Sequence, residues 1–371
     1  MKIGVAGIIL AGGNNERLGN LTAERAVSAM PMAGCYRAID FTLSNMTNAG
    51  VKKVAVITQY NSRSLRDHLS SAKWWDFGRK QGGLFVFSPF MSKDGNMWFR
   101  GTADSIYQNM PYLKRSNEEY VLIVNGNAIY KMDYTKFVDY HIEKGADITI
   151  AYQKLEGRDP SKAGMFDMDE DGRITGFEEK PVQSDYTNMS LGIYILKRTL
   201  LMELLEEIVV AGNFDISRDI IMRYHKKHKM CGYKFEGYWN AINDIDSYFN
   251  INMDFLDKAK RDEMLNTFPY IQTKPKDEPP AKYNMGAVVK KALIGEGSIL
   301  NGLVENSVLY QKVYIGDGSV VKNSVIMSDC HVGNNCHIEY AIIDKKAVIS
   351  DNKQIIGTAS APHIITKGEV V

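Results

Sequence analysis

Ile294-Gly295-Glu296-Gly297-Ser298-Ile299 returns as Ile315-Gly316-Asp317-Gly318-Ser319-Val320 and, degraded, as Val332-Gly333-Asn334-Asn335-Cys336-His337. The unit is a hexapeptide. A second segment, Val304-Glu305-Asn306-Ser307-Val308-Leu309, has counterparts starting at Val321 and Ile338, each 17 residues after the last. That offset is close to three hexapeptides, the length of one β-helix turn, so a parallel β-helix is expected here. Each turn buries its aliphatic residue and leaves its edges open, so such a domain stacks on a neighbour. The same period disposes of an apparent Cys/His cluster. Cys330-His331 and Cys336-His337 are six residues apart, so they read as rungs that need not converge on zinc.

Upstream, residues 258–282 are rich in charge and proline, including Lys274-Pro275-Lys276-Asp277-Glu278-Pro279-Pro280. This stretch reads as a connector. Before it, strand-like runs (Val5 to Leu10, Val54 to Thr58, Tyr120 to Val124, Asp147 to Tyr152, Gly192 to Leu196) alternate with helical patterns. The helical patterns are Ser62 to Ser70, Ala103 to Leu113, Tyr134 to Lys144 and Arg198 to Val209. That alternation predicts an α/β domain with helices on a mainly parallel sheet. The expected organisation is residues 1–255 as the α/β domain, 256–282 as linker and 283–371 as β-helix.

The chain has 371 residues, with 45 basic and 44 acidic side chains for a net charge of +1. No global field draws it to nucleic acid or an anionic membrane, so neither is expected as a partner. Met1-Lys2-Ile3-Gly4 runs straight into a strand-like segment without a basic-then-apolar leader, and no stretch of about 18 apolar residues occurs. Four sparse cysteines form no C-x-x-C pair, which fits a reducing compartment. A cytoplasmic protein is expected. His225-Lys226-Lys227-His228-Lys229 reads as a solvated basic helix end.

Ile8-Ile9-Leu10-Ala11-Gly12-Gly13 ends a strand in a glycine turn, where backbone N–H groups can approach a phosphate. Arg17-Leu18, Arg25-Ala26 and Tyr36-Arg37-Ala38-Ile39-Asp40-Phe41-Thr42-Leu43-Ser44-Asn45 follow it. Further on come Thr58-Gln59-Tyr60, Trp98-Phe99-Arg100-Gly101-Thr102-Ala103-Asp104, Glu179-Lys180-Pro181 and Phe235-Glu236-Gly237-Tyr238-Trp239. In this order the motifs closely resemble bacterial glucose-1-phosphate adenylyltransferase, along the whole chain. The resemblance implies a nucleotidyltransferase domain, Rossmann-like with a mainly parallel sheet, followed by a left-handed parallel β-helix. It also implies a reaction in which the phosphate of glucose 1-phosphate attacks the α-phosphorus of ATP with Mg²⁺ assistance. Leu10, Gly12, Gly13, Arg17, Gln59, Gly101 and Thr102 would then belong to the nucleotide site, and Glu179, Lys180 and Ser190 to the sugar phosphate. Arg25 and Arg37 fall where the family binds anionic effectors.

The residues depart from that pattern where the chemistry is most demanding. A glycine and a small hydroxyl of the phosphate loop are Asn15 and Glu16 here, and the lysine that meets the phosphates is Val27. Asn127 and Ala241 replace the aspartates that hold Mg²⁺ in active members. Asn is a poorer ligand for a hard dication, and Ala is none. Glu24 replaces a lysine that some members carry at the effector site. No catalytic residue, metal ligand or bound cofactor is therefore expected in this chain; Mg²⁺ and ATP are used by a catalytic partner. The resemblance is to the D-type regulatory subunit, which joins a homologous catalytic chain in a hetero-oligomer, a heterotetramer, in glycogen biosynthesis. Self-association is a further expectation. Two alternatives stay open: an active nucleotidyltransferase that recruits Asp104 or Asp133 for Mg²⁺, and a stand-alone sugar-phosphate or nucleotide sensor. Regrouping Arg37 and Asp40 as a structural ion pair at a helix start is equally open.

Overall fold

The computed structural model describes residues 4–13, 16–78, 82–92, 95–96 and 98–371. Met1 to Ile3, read above as the run into the first strand, lie outside the described residues.

Four strands, Val5–Leu10 (β1), Lys53–Ile57 (β2), Gly83–Phe87 (β3) and Tyr120–Asn125 (β4), run parallel in the spatial order β3-β2-β1-β4. Ile148–Lys154 (β5), Gly164–Met168 (β6), Ile174–Glu179 (β7), Asn188–Lys197 (β8) and Met230–Lys234 (β9) extend it to nine strands. β8 is antiparallel to both β4 and β5, and β9 returns parallel to β5. The period of two decides which side each residue serves. Ile8, Ala55 and Ile123 enter one apolar cluster with Ala103, Ile106, Leu201 and Leu205. Their neighbours Ile9, Val54, Val56 and Leu122 enter the opposite one, with Ile39, Leu43, Phe137 and Val138. Both faces are covered, by Ala38–Asn48 (α1) and Tyr134–Lys144 (α2) on one side and by Arg198–Val210 (α3) on the other. Coverage on both sides explains why the strands read as unbroken apolar runs.

One predicted helix divides. The pattern read from Ala103 to Leu113 becomes Thr102–Tyr107 and Met110–Lys114, with Pro111 in the first turn of the second piece, where its missing N–H costs nothing.

The C-terminal domain is a β-helix of three five-stranded parallel sheets. Segments 17 residues apart stack, Val304 on Val321 on Ile338 on Ile355, whereas the first coil is shorter and sets Val289 on Val304. The hexapeptide copies starting at Ile294 and Ile315 fall on different sheets. The corners are left-handed turns filled by Gly, by Lys and Tyr340, and at five places by Asn or Asp, namely Asn306, Asn323, Asp329, Asn335 and Asn352, all at positive φ. Asn and Asp tolerate that region better than other side chains do. Cys330 and Cys336 point into the core and bond the carbonyls of Asp344 and Ser350 at 2.9 and 3.1 Å. Among the described residues no group of three His, Cys, Asp or Glu could hold a metal ion.

The two domains share a core. Tyr248, Phe249 and Ile251 of Ile245–Asp254 (α4) pack with Leu21 and Met32 and with Val308, Tyr310 and Val325 of the β-helix. The Tyr310 hydroxyl donates to Asn252 Oδ1 at 2.7 Å. The stretch read as a linker, 256–282, is tied along the first domain: the Gln272 carbonyl accepts from Trp75 and Ser44, and Thr273 donates to Asp40. No helix among the described residues is long and apolar enough to cross a membrane.

Candidate functional site

β1 and β4 end side by side, Leu10 paired with Asn125. Above their carboxyl ends opens a cavity of about 690 Å³, where ligands bind in open α/β sheets. Leu10, Gly12, Gly13, Arg17, Gln59, Gly101 and Thr102 all line it, as do Glu179, Lys180 and Ser190 on the opposite wall. Val27, Asn127 and Ala241 line it too. Asn14 and Asn15, in the middle of the phosphate loop, lie outside the described residues.

The first wall is held by backbone-directed bonds. Gln59 clamps Phe99, accepting from its N–H at 2.7 Å. Thr102 Oγ1 donates to Asp215 Oδ2 and accepts from the Ile216 N–H, at 3.0 and 2.9 Å. Gly101 cannot carry a side chain, because a Cβ there would stand 2.4 Å from the Phe214 carbonyl oxygen. Across the cavity Gly192, at φ +69°, presses against Asn125.

The sugar-side wall has one acceptor in need of a partner. Glu179 Oε1 lies 3.8 Å from Lys180 Nζ, while buried Glu179 Oε2 makes no hydrogen bond. Burial holds its carboxyl above the usual range, with Lys180 pulling the other way. A ligand hydroxyl would satisfy that oxygen. Burial likewise pushes the Tyr194 hydroxyl up to about 12; it is 3.0 Å from Ser217 Oγ.

Positions 127 and 241 come together through a two-stranded ribbon. Ala128–Tyr130 pairs antiparallel with Trp239–Ala241, and the Ile242 N–H donates to the Asn127 carbonyl at 3.0 Å. Asn127 Nδ2 returns a bond to the Ile242 carbonyl at 3.1 Å. Val27 sits beside them, 7% exposed, in the core shared with the β-helix.

The arginines expected at an effector site have separate fates. Arg25 is buried and gives both Asp344 oxygens a bond, at 2.7 and 2.9 Å, so it ties the β-helix to the first domain. Neighbouring Glu24 pairs with Lys367. Arg37 reaches the Ser64 carbonyl and hydroxyl at 2.7 and 3.0 Å. Asp40 bonds the Arg37 N–H and His68, so a helix-start cap takes the place of the direct ion pair considered above. Arg37 also lines a second recess, of about 190 Å³, with His68, Lys274, Lys276 and Lys345 at the domain joint. Burial, then the guanidinium groups of Arg37 and Arg25, pull Lys345 down to about 7.

Sequence reasoning missed Lys162 and Asp215, which also line the cavity. Lys162 is held by Asp244 at 2.6 Å. Neither carries a local signal; they arrive through loops whose partners are more than 80 residues away.

The profile described as Nucleotidyl transferase matches residues 6–258, and that described as GlmU-like, C-terminal hexapeptide matches residues 279–361. A glucose-1-phosphate adenylyltransferase of Bacillus cytotoxicus is 38% identical over 371 residues, covering 98% of this chain and 97% of the relative. Proteins of the same name from Clostridium perfringens strain 13 and Bacillus anthracis are 38% and 39% identical, covering 99% and 93% of this chain and 96% and 92% of theirs. The chain belongs to the glucose-1-phosphate adenylyltransferase family. Against the magnesium chemistry that this family implies, the cavity of this adenylyltransferase relative fits poorly. Among the described residues the carboxylates lining it are Glu179 and Asp215, and Asp215 is already taken by Thr102 and the Arg218 N–H. Asp104 cannot step in: it is fully buried and occupied by Arg100 and Gln108. Asp133 caps α2 through the Thr135 N–H, outside the cavity.

Proposed function

We propose that the chain is a catalytically silent, or very weak, regulatory subunit of glucose-1-phosphate adenylyltransferase in glycogen biosynthesis. It would assemble in the cytoplasm with a homologous catalytic chain that makes ADP-glucose and pyrophosphate. The observation that carries this reading is the cavity at positions 27, 127 and 241. The walls that shape it are intact, while its three most demanding positions hold an aliphatic side chain, an amide and a methyl group. A triphosphate meeting a sugar phosphate needs cations and metal carboxylates there. The unsatisfied Glu179 oxygen supports retained sugar-phosphate binding. The cationic recess around Arg37 and Lys345 supports an anionic effector read at the domain joint. Docking would favour the catalytic chain's active conformation, a coupling of about 1–3 kcal/mol being typical.

Native mass measurement tests the assembly directly. Mixing the chain with the catalytic homologue from the same cell is expected to give one species containing both, with two copies of each. Separate homomeric species at every ratio would overturn the reading.

A further inference from the structure

Two segments that line the cavity, one starting at Asn127 and the other running from Trp239 to Asn243, are tied twice by one residue. The Asn127 carbonyl accepts from the Ile242 N–H at 3.0 Å, and Asn127 Nδ2 donates to the Ile242 carbonyl at 3.1 Å. Both backbone polar groups of Ile242 are thus held by Asn127, next to the Ala128–Ala241 pair that ends the ribbon. The anchor is firm, because Ile242 is fully buried in the core that also takes Val27 and Ile129. The sign of the side chain decides what this contact can be. A carboxylate at 127 would set an acceptor against the Ile242 carbonyl, and the two would repel unless a cation lay between them. An amide donates there, so it joins the segments with no ion. What it joins reaches the rest of the cavity. Past Ile242 the chain comes to Asp244, which caps α4 through the Ser247 N–H at 2.8 Å and holds the cavity's Lys162 at 2.6 Å. At the ribbon's other end stands Trp239, whose buried indole N–H has no hydrogen-bond partner; a ligand oxygen would satisfy it.

We propose that Asn127 is a positioning residue, an amide staple that does the work of a bridging cation. It holds residues 239–244, and through them Trp239 and Lys162, in place for a sugar phosphate that binds without divalent metal. The ligand half of this proposal rests on the sugar-phosphate reading of the cavity given above, whereas the staple does not. Amide and cation are alternative solutions to one problem. Two carboxylates at 127 and 241 need an ion to bring their segments together, and an amide at 127 facing a carbonyl needs none.

Amide hydrogen exchange of the full chain, read by mass spectrometry in EDTA and in Mg²⁺, tests the staple, and calorimetry with glucose 1-phosphate under the same two conditions tests its use. The parent chain should show the same protection over residues 239–244, and the same affinity, with and without Mg²⁺. Asn127→Ala should speed exchange over 239–244 by about two- to tenfold, the ratio one hydrogen bond is commonly worth, and leave β1 and β4 unchanged, since the opening is local. Its affinity for glucose 1-phosphate should fall by a similar factor, and Mg²⁺ should not restore it. Asn127→Asp with Ala241→Asp should be fast-exchanging and weak-binding in EDTA and recover both properties in Mg²⁺, because an ion then replaces the amide. This second variant decides the matter should the alanine variant fail to fold. A parent that depends on Mg²⁺, an alanine variant unchanged over 239–244 or loosened equally in β1 and β4, or a double aspartate indifferent to Mg²⁺ would overturn the staple. A parent that takes up no glucose 1-phosphate would overturn the ligand half and the sugar-phosphate reading with it, while the exchange pattern still decides the staple.

Discussion

Val27→Lys, Asn127→Asp and Ala241→Asp combined are expected to raise pyrophosphate release from ATP and glucose 1-phosphate by about a thousandfold or more over the parent chain. A single preorganised electrostatic group is commonly worth about 10²–10³ in rate, and three are restored together. The geometry permits it. Positions 127 and 241 are joined across the Ala128–Tyr130 and Trp239–Ala241 ribbon, so the two new carboxylates share one face of the cavity. A lysine at 27 can keep its stem among Leu18, Leu21 and Met30 and send its ammonium into the cavity. The triple variant should also gain a signature that the parent lacks. Its adjacent carboxylates repel until a dication bridges them, so Mg²⁺ should raise its melting temperature and leave the parent's unchanged. A variant that folds, shows no Mg²⁺ effect and stays at the parent's background rate would mean that the pocket is collapsed for reasons beyond these three positions.

The second large effect is on stability. Arg25→Ala leaves the Asp344 carboxylate buried at 1% exposure with the Lys345 N–H as its remaining bond among the described residues. Breaking a buried pair from one side costs about 3–5 kcal/mol, which for a chain of this size corresponds to a drop of roughly 4–6 °C in melting temperature. Arg25→Met with Asp344→Leu should recover most of it, since an apolar pair of similar volume removes the stranded charge. Thermal unfolding by circular dichroism separates the cases. Equal destabilisation by the single and the double change would show that the pair is not what joins the domains.

These two predictions also mark where sequence reading stops. The glycine turn after Leu10, the strand runs of β1 and β4 and the 17-residue stacking from Val304 to Ile338 are local patterns, set by a period of two or by aliphatic residues recurring along one chain. They were readable for that reason. The edge strand β3 and the β6–β7 hairpin were not, because Gly83–Phe87 is only half-covered and the hairpin is broken by polar residues. The site divides the same way. The motif residues from Leu10 to Ser190 converge on one cavity, but Arg25 looks like a phosphate ligand until Asp344 is seen beside it, 319 residues along the chain. Asp104 looks like a spare metal ligand until its oxygens are found on Arg100 and Gln108. Long-range partners of charged side chains leave no periodicity to read.

The central claim, silence in isolation and influence in company, is tested most directly by steady-state pyrophosphate release from ATP and glucose 1-phosphate with Mg²⁺. It compares the chain alone, the catalytic homologue from the same cell alone, and the two mixed. The account predicts background release from the first and a mixture clearly more active than the homologue by itself. Turnover by the isolated chain at an ordinary enzyme rate would contradict it, and would require metal ligands at places other than positions 127 and 241.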